Sequence, residues 1–139
     1  MLSTKTLAEL VRRKHDVLVQ LCEIGRRQQR IIDDGETATL LQLLAAKQSM
    51  ISSLQQVERE MAPYQIEDPD ARVWPTPEER ARCAQQATEC NQLLEQIVAL
   101  EKHSADRMTT RRNEVAAQLR NVYVAGQARD AYAANRGRP

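Results

Sequence analysis

Apolar residues recur every three or four positions along three segments of the chain, the spacing that places them on one face of an α-helix. The first segment predicts a helix over about residues 4–33, with Ser3 or Thr4 as its N-cap. Gly35 is expected to end it, because glycine readily adopts the positive φ of a helix C-terminus. Its apolar stripe is Leu7, Leu10, Val11, Val17, Leu18, Leu21, Ile24, Ile31 and Ile32.

The second segment predicts a helix over about residues 37–61. The connection to the first helix is so short that the two helices must be antiparallel neighbours. Lys14, Gln28 and Lys47 fall at positions where apolar residues would continue the stripes, and we expect them to set the register of the helices. The second stripe is Leu40, Leu41, Leu43, Leu44, Ile51, Leu54, Val57 and Met61.

Residues 62–75 are predicted to be an irregular loop, because three prolines interrupt this stretch. The prolines are Pro63, Pro69 and Pro75. We expect the loop to pack across the end of the helices rather than to hang free, since it carries four apolar side chains. These are Tyr64, Ile66, Val73 and Trp74.

A third and much longer helix is predicted over about residues 76–124. It begins with Thr76 as N-cap, Pro77 at the first helical position and Glu79 three residues after the cap. The stripe weakens between Glu101 and Thr110, where a kink or a break would fit the sequence. Its members are Cys83, Ala87, Cys90, Leu94, Ile97, Val98, Glu101, Met108, Val115, Leu119 and Val122.

The unequal helix lengths predict an uncovered surface. Helices of about 25–30 residues span about 36–45 Å, whereas a helix of about 48 residues spans about 70 Å. We therefore expect one domain with an all-α fold, an elongated antiparallel three-helix bundle or coiled coil with a mobile tail over residues 125–139. The far end of the third helix would then break, pair with a second copy or bind a partner. Its candidate contact residues are Val115, Leu119, Val122 and Tyr123.

Charge adds a second feature to that end of the chain. Net charge is +3 over residues 1–33, −7 over residues 34–106 and +5 over residues 107–139. A basic tail can contact nucleic acid or an acidic protein surface. Because no aromatic residue is interleaved among its arginines before Tyr123, a solvated helix face is the favoured interpretation.

Catalytic chemistry has little support in the sequence. The chain has four glycines and no phosphate-binding glycine loop, zinc-binding cysteine pair or nucleophile elbow. Cys22, Cys83 and Cys90 are best explained as small core residues of a reduced protein. Lys5 and Glu9 lie where the apolar region of a signal peptide would be, and no apolar run is long enough to span a membrane, so we expect a cytoplasmic protein. From the missing motifs we expect a protein that is not an enzyme and has no cofactor or metal.

The stretch from residue 7 to residue 58 contains a leucine-rich helix, a turn and a second helix with a lysine near its middle. Its most distinctive segments are Gln29–Glu36, Leu40-Leu41, Leu43–Gln48, Leu54 and Val57-Glu58. In these segments the chain resembles the FlgN family of flagellar type III export chaperones, whose members show a similar helix, turn and second helix. The chain departs from the family at the asparagine-rich start of the last helix, which is reduced here to Asn91. FliT-like chaperones are the next most similar group.

The resemblance implies a cytosolic chaperone that binds the C-terminal amphipathic helices of flagellar hook–filament junction (hook-associated) proteins. Such a chaperone prevents premature assembly and delivers its client to the export apparatus. It also implies a second role for the tail, in which Tyr132 contacts either the client or the export gate, with the export ATPase as a further partner. Two other classes stay open: a structural coiled-coil homodimer or adaptor, and, less favoured, an RNA-binding helical arm.

Overall fold

The molecule is all-α, as the sequence predicts. The computed structural model describes the backbone of residues 2–136, and the side chains of residues 2–128 and Ala131. Three long helices are joined by short connections, with one 3-10 turn at Pro69–Ala71: α1 (Thr4–Asp34), α2 (Thr37–Ile66) and α3 (Pro77–Arg136). The chain divides into two compact units, an N-terminal unit (Met1–Ser104) and a C-terminal unit (Ala105–Pro139).

Both ends of α1 follow the local sequence signals. Ser3 is the N-cap, and its side chain accepts a hydrogen bond from the backbone N–H of Thr6 at 3.4 Å. Gly35 adopts φ 73°, in the left-handed region, and its N–H donates to the carbonyl of Ile31 at 3.0 Å. The predicted capping of this helix is confirmed. It could be predicted from the sequence because these interactions depend only on neighbouring residues.

The second helix is longer than the sequence predicts, because it passes through Pro63 and ends at Ile66. Tyr64 holds this last turn in place: its ring is buried, and its hydroxyl donates to the carbonyl of Ser3 at 3.0 Å. The guanidinium of Arg72 donates to the carbonyl of Tyr64 at 2.7 Å. These tertiary contacts offset the helix hydrogen bond that proline cannot make.

The connection between α2 and α3 is fixed at only some of the predicted anchor points. Trp74 is half-buried against the core, and the hydroxyl of Thr4 donates to the carbonyl of Val73 at 2.8 Å. The side chains of Ile66 and Val73 are instead 91% and 71% exposed, so their predicted anchoring role is wrong. The segment is held by the ring of Trp74, by the guanidinium of Arg72 and by its backbone rather than by these aliphatic side chains.

Two apolar clusters form the core of the N-terminal unit. In both, side chains of α1 pack against residues of α2 and α3. Three predicted stripe members of this unit are exposed rather than buried: Leu41 and Val98 are 63% and 67% exposed, and Ala87 is exposed as well. The first cluster contains Leu7, Leu10, Val11, Tyr64 and Cys83, and the second contains Leu18, Leu21 and Cys90 with partly buried Met50, Ile51, Leu54, Leu93, Leu94 and Ile97 around them.

The three predicted seam-breaking residues all make polar contacts between helices. Lys47 of α2 donates to the Oε1 of Gln28 on α1 at 3.3 Å and pairs with the carboxylate of Glu101 on α3. Lys14 of α1 pairs with Glu58 of α2 at 2.7 Å. Because Lys47 has a partner on each neighbouring helix, a shift of any one helix would separate it from a partner.

The third helix begins as predicted but extends further. The hydroxyl of Thr76 accepts a hydrogen bond from the N–H of Glu79 at 3.1 Å, and Pro77 is the first helical residue. The helix is unbroken between Glu101 and Thr110 and continues to Arg136, twelve residues beyond the predicted end. Residues 125–136 are rich in alanine, the best helix former, so Gly126 alone does not stop the helix. The predicted mobility of this segment stays a prediction, and residues 137–139 lie outside the described chain.

Among the described residues, no helix is both long and apolar enough to cross a membrane.

Candidate partner-binding surface

The strongest candidate for a functional surface is an apolar face on the C-terminal unit, which we call the C-terminal seam (Val115, Leu119, Val122 and Tyr123). At 3.6 residues per turn, these four positions lie within an arc of about 100° around α3. Val124 lies on the opposite side of the helix, about 180° from Val115. This spacing is typical of a helix face that packs against another helix.

The seam is exposed to solvent. Val115 is 47% exposed, Leu119 and Val122 are each 66% exposed, and Tyr123 is 65% exposed. Covering the exposed half of an aliphatic side chain of this size is worth about 1 kcal/mol. The four residues together therefore offer several kcal/mol of favourable burial to a partner.

The side chain of Tyr123 makes a contact one turn along the helix. The side-chain amide of Gln127 donates a hydrogen bond to the Tyr123 hydroxyl at 2.8 Å. Residues four apart are neighbours on a helix surface, so this contact forms within α3 itself. It favours the rotamer of Tyr123 whose hydroxyl reaches Gln127.

Two further residues of α3 bear on the extent of the seam, Tyr132 and Met108. Tyr132 lies in α3, but its side chain is outside the described part of the structure. Met108 lies in line with Val115 two turns earlier and is 45% exposed. It was expected as a stripe member but not as a contact residue, although the stripe spacing alone could have identified it.

Positive charge accompanies one end of the seam. Arg112 projects from within the arc of the seam and Arg111 from beside it, and both are exposed. Glu114 lies about 130° from the centre of the arc. Between residues 107 and 128, the charged positions closest to the seam are therefore both arginines.

The N-terminal unit carries a second exposed apolar area. Leu2 and Ile66 line an open depression together with Pro63, Glu67 and Ala71. Ile66 is 91% exposed there. The sequence pattern does not predict this area, because in residues 62–75 it indicates Ile66 as an inward anchor.

The cysteines are placed as core residues rather than as reactive groups. Cys22, Cys83 and Cys90 are buried and unbridged, and burial raises the pKa of each thiol. Among the described residues, no group of three or more His, Cys, Asp and Glu side chains is arranged to hold a metal ion. His15 is half-buried, and its Nε2 lies 2.8 Å from the carboxylate of Glu89.

No protein-family model matches the chain, and neither a curated protein nor a solved structure is significantly similar to it.

Proposed function

We propose that this protein is a cytoplasmic export chaperone whose C-terminal seam binds an amphipathic helix of a flagellar hook–filament junction protein. The observation that carries the proposal is the exposure of four apolar side chains, at helical spacing, on one side of α3. Exposed apolar faces of this kind mark protein-binding surfaces. The resemblance of residues 7–58 to FlgN-like chaperones supports the choice of client.

The proposed mechanism is helix-on-helix packing. The client helix lays its apolar face on the seam, so that positions three, four and seven apart meet Val115, Leu119 and Val122. This covers the face by which the client would otherwise assemble too early. Since a segment that folds on binding loses conformational entropy, the complex stays weak enough for release to the export apparatus.

The proposal is tested by substituting two central seam residues and measuring client binding. Leu119→Gln with Val122→Gln removes apolar contact area but keeps good helix formers in α3. We expect at least a tenfold loss of affinity for a hook–filament junction protein, measured by calorimetry, because about 2 kcal/mol of burial is lost. Unchanged helix content, measured by circular dichroism, shows that the helix itself survives.

Val124→Gln is the matched control, because Val124 is as exposed as Val122 but lies on the other side of α3. We expect it to bind the client like the unmodified chain. Unchanged affinity in the seam variant, or an equal loss in the control, would contradict the assignment of the surface.

A second copy of the chain is the alternative occupant of the seam. The same exposed residues are compatible with a coiled-coil homodimer, in which function would depend on self-association. Sedimentation velocity over a range of concentrations separates the two proposals. A mass that rises to twice 15.8 kDa with concentration, and that Leu119→Gln with Val122→Gln restores to the monomer value, would favour the homodimer.

A further inference from the structure

We infer that the C-terminal seam selects a helix that carries carboxylates beside its apolar face, so that the partner is an acidic amphipathic helix. This inference rests on the proposed function and adds to it the charge of the client. It depends on where charged residues lie around α3 between residues 107 and 128.

The charges nearest the seam have one sign. Arg112 lies within the arc of apolar residues, about one turn before Val115, and Arg111 borders the arc. Glu114, the only acidic residue between positions 107 and 128, lies on another side of the helix. A partner packed on the seam therefore meets two guanidinium groups at one end of the contact and no carboxylate.

Guanidinium groups at this position favour carboxylates on the partner. Arginine presents planar donors that match a carboxylate in two parallel hydrogen bonds, whereas a cationic partner would meet like charge. As residues next to an apolar contact, Arg111 and Arg112 also keep their aliphatic stems against the partner. Their guanidinium groups then lie close to carboxylates at the positions that flank the apolar face of the partner helix.

A second copy of the same seam fits this surface poorly. Residues 107–139 carry a net charge of +5, so two copies of the segment repel each other when paired. In a parallel pair, Arg112 would face its own equivalent across the seam, a costly arrangement at an interface core. An acidic partner removes both problems and gains favourable steering during association.

Nucleic acid is the other polyanion that arginines attract. The seam offers one exposed aromatic ring among the residues described around it, Tyr123, whereas single-stranded nucleic acids are usually bound on several stacking rings. The aliphatic residues Val115, Leu119 and Val122 give no favourable contact to phosphate. The combination of aliphatic face and arginines matches an acidic amphipathic helix better.

The inference is tested with the full-length chain and three labelled synthetic peptides. All three share one leucine face at heptad spacing and differ only at the positions flanking it, which are Glu, Gln or Lys. We expect fluorescence anisotropy to rank affinity as Glu above Gln above Lys at low salt. The Glu and Gln peptides should differ by about three- to tenfold, the effect of two exposed charge pairs, and this difference should shrink as salt screens the charges.

Two charge reversals separate a local effect from the net charge of the chain. Arg112→Glu and Arg120→Glu change the net charge equally, but Arg120 lies about 110° from the centre of the seam. We expect Arg112→Glu to remove the preference for the Glu peptide and Arg120→Glu to retain it. Arg111→Glu combined with Arg112→Glu should bind the Lys peptide most tightly.

Failure of the inference is distinguishable from failure of the proposed function. If the three peptides bind equally but Leu119→Gln with Val122→Gln abolishes binding, the acidic preference is wrong and the seam remains the binding surface. If no peptide binds, or the seam variant binds the Glu peptide as well as before, both are wrong. Equal effects of the two charge reversals, tighter binding of a uridine oligonucleotide than of the Glu peptide, or peptide-independent dimerisation would each overturn the acidic-helix inference.

Discussion

At the scale of single residues, the cysteines show how a thin core is filled. Cys22 and Cys90 are 1% and 2% exposed, and the Sγ of Cys22 lies 3.6 Å from the carbonyl oxygen of Leu93. Small, polarisable side chains suit positions where helices approach closely. Burial disfavours the thiolate at each of the three sites. The free energy of unfolding is therefore expected to depend on pH in alkaline solution.

We predict that the free energy of unfolding falls as pH rises above the ordinary thiol pKa. The pKa of each buried thiol is raised in the folded chain, so in this range the unfolded chain loses protons first and is stabilised. Below that range all three thiols are protonated in both states and contribute no pH dependence. Urea unfolding from pH 7 to pH 10 measures the effect.

A variant with Cys22, Cys83 and Cys90 replaced by Ala is the reference for this measurement. It is expected to be less stable at pH 7 but to lose less stability between pH 8.5 and pH 10, the range above the ordinary thiol pKa. Parallel pH profiles for the two chains would show that the thiols do not contribute.

The polar contact of Lys47 gives a second prediction at this scale. Lys47→Met keeps the length of the side chain but leaves Gln28, which is 4% exposed, without the ammonium group that donates to it. We expect a loss of about 1–3 kcal/mol in the free energy of unfolding, measured with urea. Lys102→Met, at an exposed position of α3, is the control and should change stability by less than about 0.5 kcal/mol. A loss as small as that of the control would mean that the contact is dispensable.

At the scale of helices, two glycines inside helices have opposite surroundings. A Cβ added at Gly25 of α1 would lie 3.1 Å from the Cδ1 of Leu100, whereas one added at Gly126 of α3 would meet nothing within 4 Å. Gly25 therefore permits close approach of α1 and α3 within the N-terminal unit. Gly126 lowers the stability of its helix without any packing benefit.

We predict opposite outcomes for side chains added at these glycines. Gly25→Val should destabilise the chain by about 1–3 kcal/mol in urea unfolding, because the branched side chain overpacks against Leu100. Gly126→Ala should stabilise the C-terminal helix by about 1 kcal/mol, seen as slower amide hydrogen exchange over residues 120–128. Stabilisation by Gly25→Val would show that the two helices are not closely packed there.

The helix ends show which features a sequence can reveal. Gly35 and Thr76 were identified correctly, because a cap is formed by residues within one turn of each other. The end of α2 is not revealed in this way, because the turn beyond Pro63 contacts a distant part of the chain: the hydroxyl of Tyr64 donates to the carbonyl of Ser3, 61 residues earlier. The positions of Arg111 and Arg112 beside the seam follow from 3.6 residues per turn and so could be predicted from the sequence, whereas the exposed fraction of each seam residue comes from the structure.

At the scale of the whole molecule, the core and the candidate binding surface belong to different units. The residues of both apolar clusters lie between Leu7 and Ile97, inside the N-terminal unit, and the seam lies in the C-terminal unit. Stability and binding are therefore expected to respond to different substitutions. This division is common where a rigid scaffold presents a less stable binding element.

We predict that a chain ending at Thr110 keeps its urea midpoint but loses its client. Both core clusters remain complete in the shortened chain, while all four seam residues are removed. Pull-down with hook–filament junction proteins, beside urea unfolding followed at Trp74, measures the two properties separately. Equal retention of client by both chains would place the binding surface in the N-terminal unit, where the exposed area at Leu2 and Ile66 becomes the next candidate.

The exposed helix that carries the seam also has a consequence for the lifetime of the protein. A helix segment that buries little apolar surface opens locally at low free-energy cost, and opened backbone is the substrate of proteases. Arg111, Arg112 and Arg120 place trypsin-type cleavage positions along this segment. A partner bound on the seam would protect these peptide bonds from proteolysis. The rate of cleavage there would therefore report the fraction of chains with an occupied seam. If such a partner exists, unoccupied copies would be cleaved first.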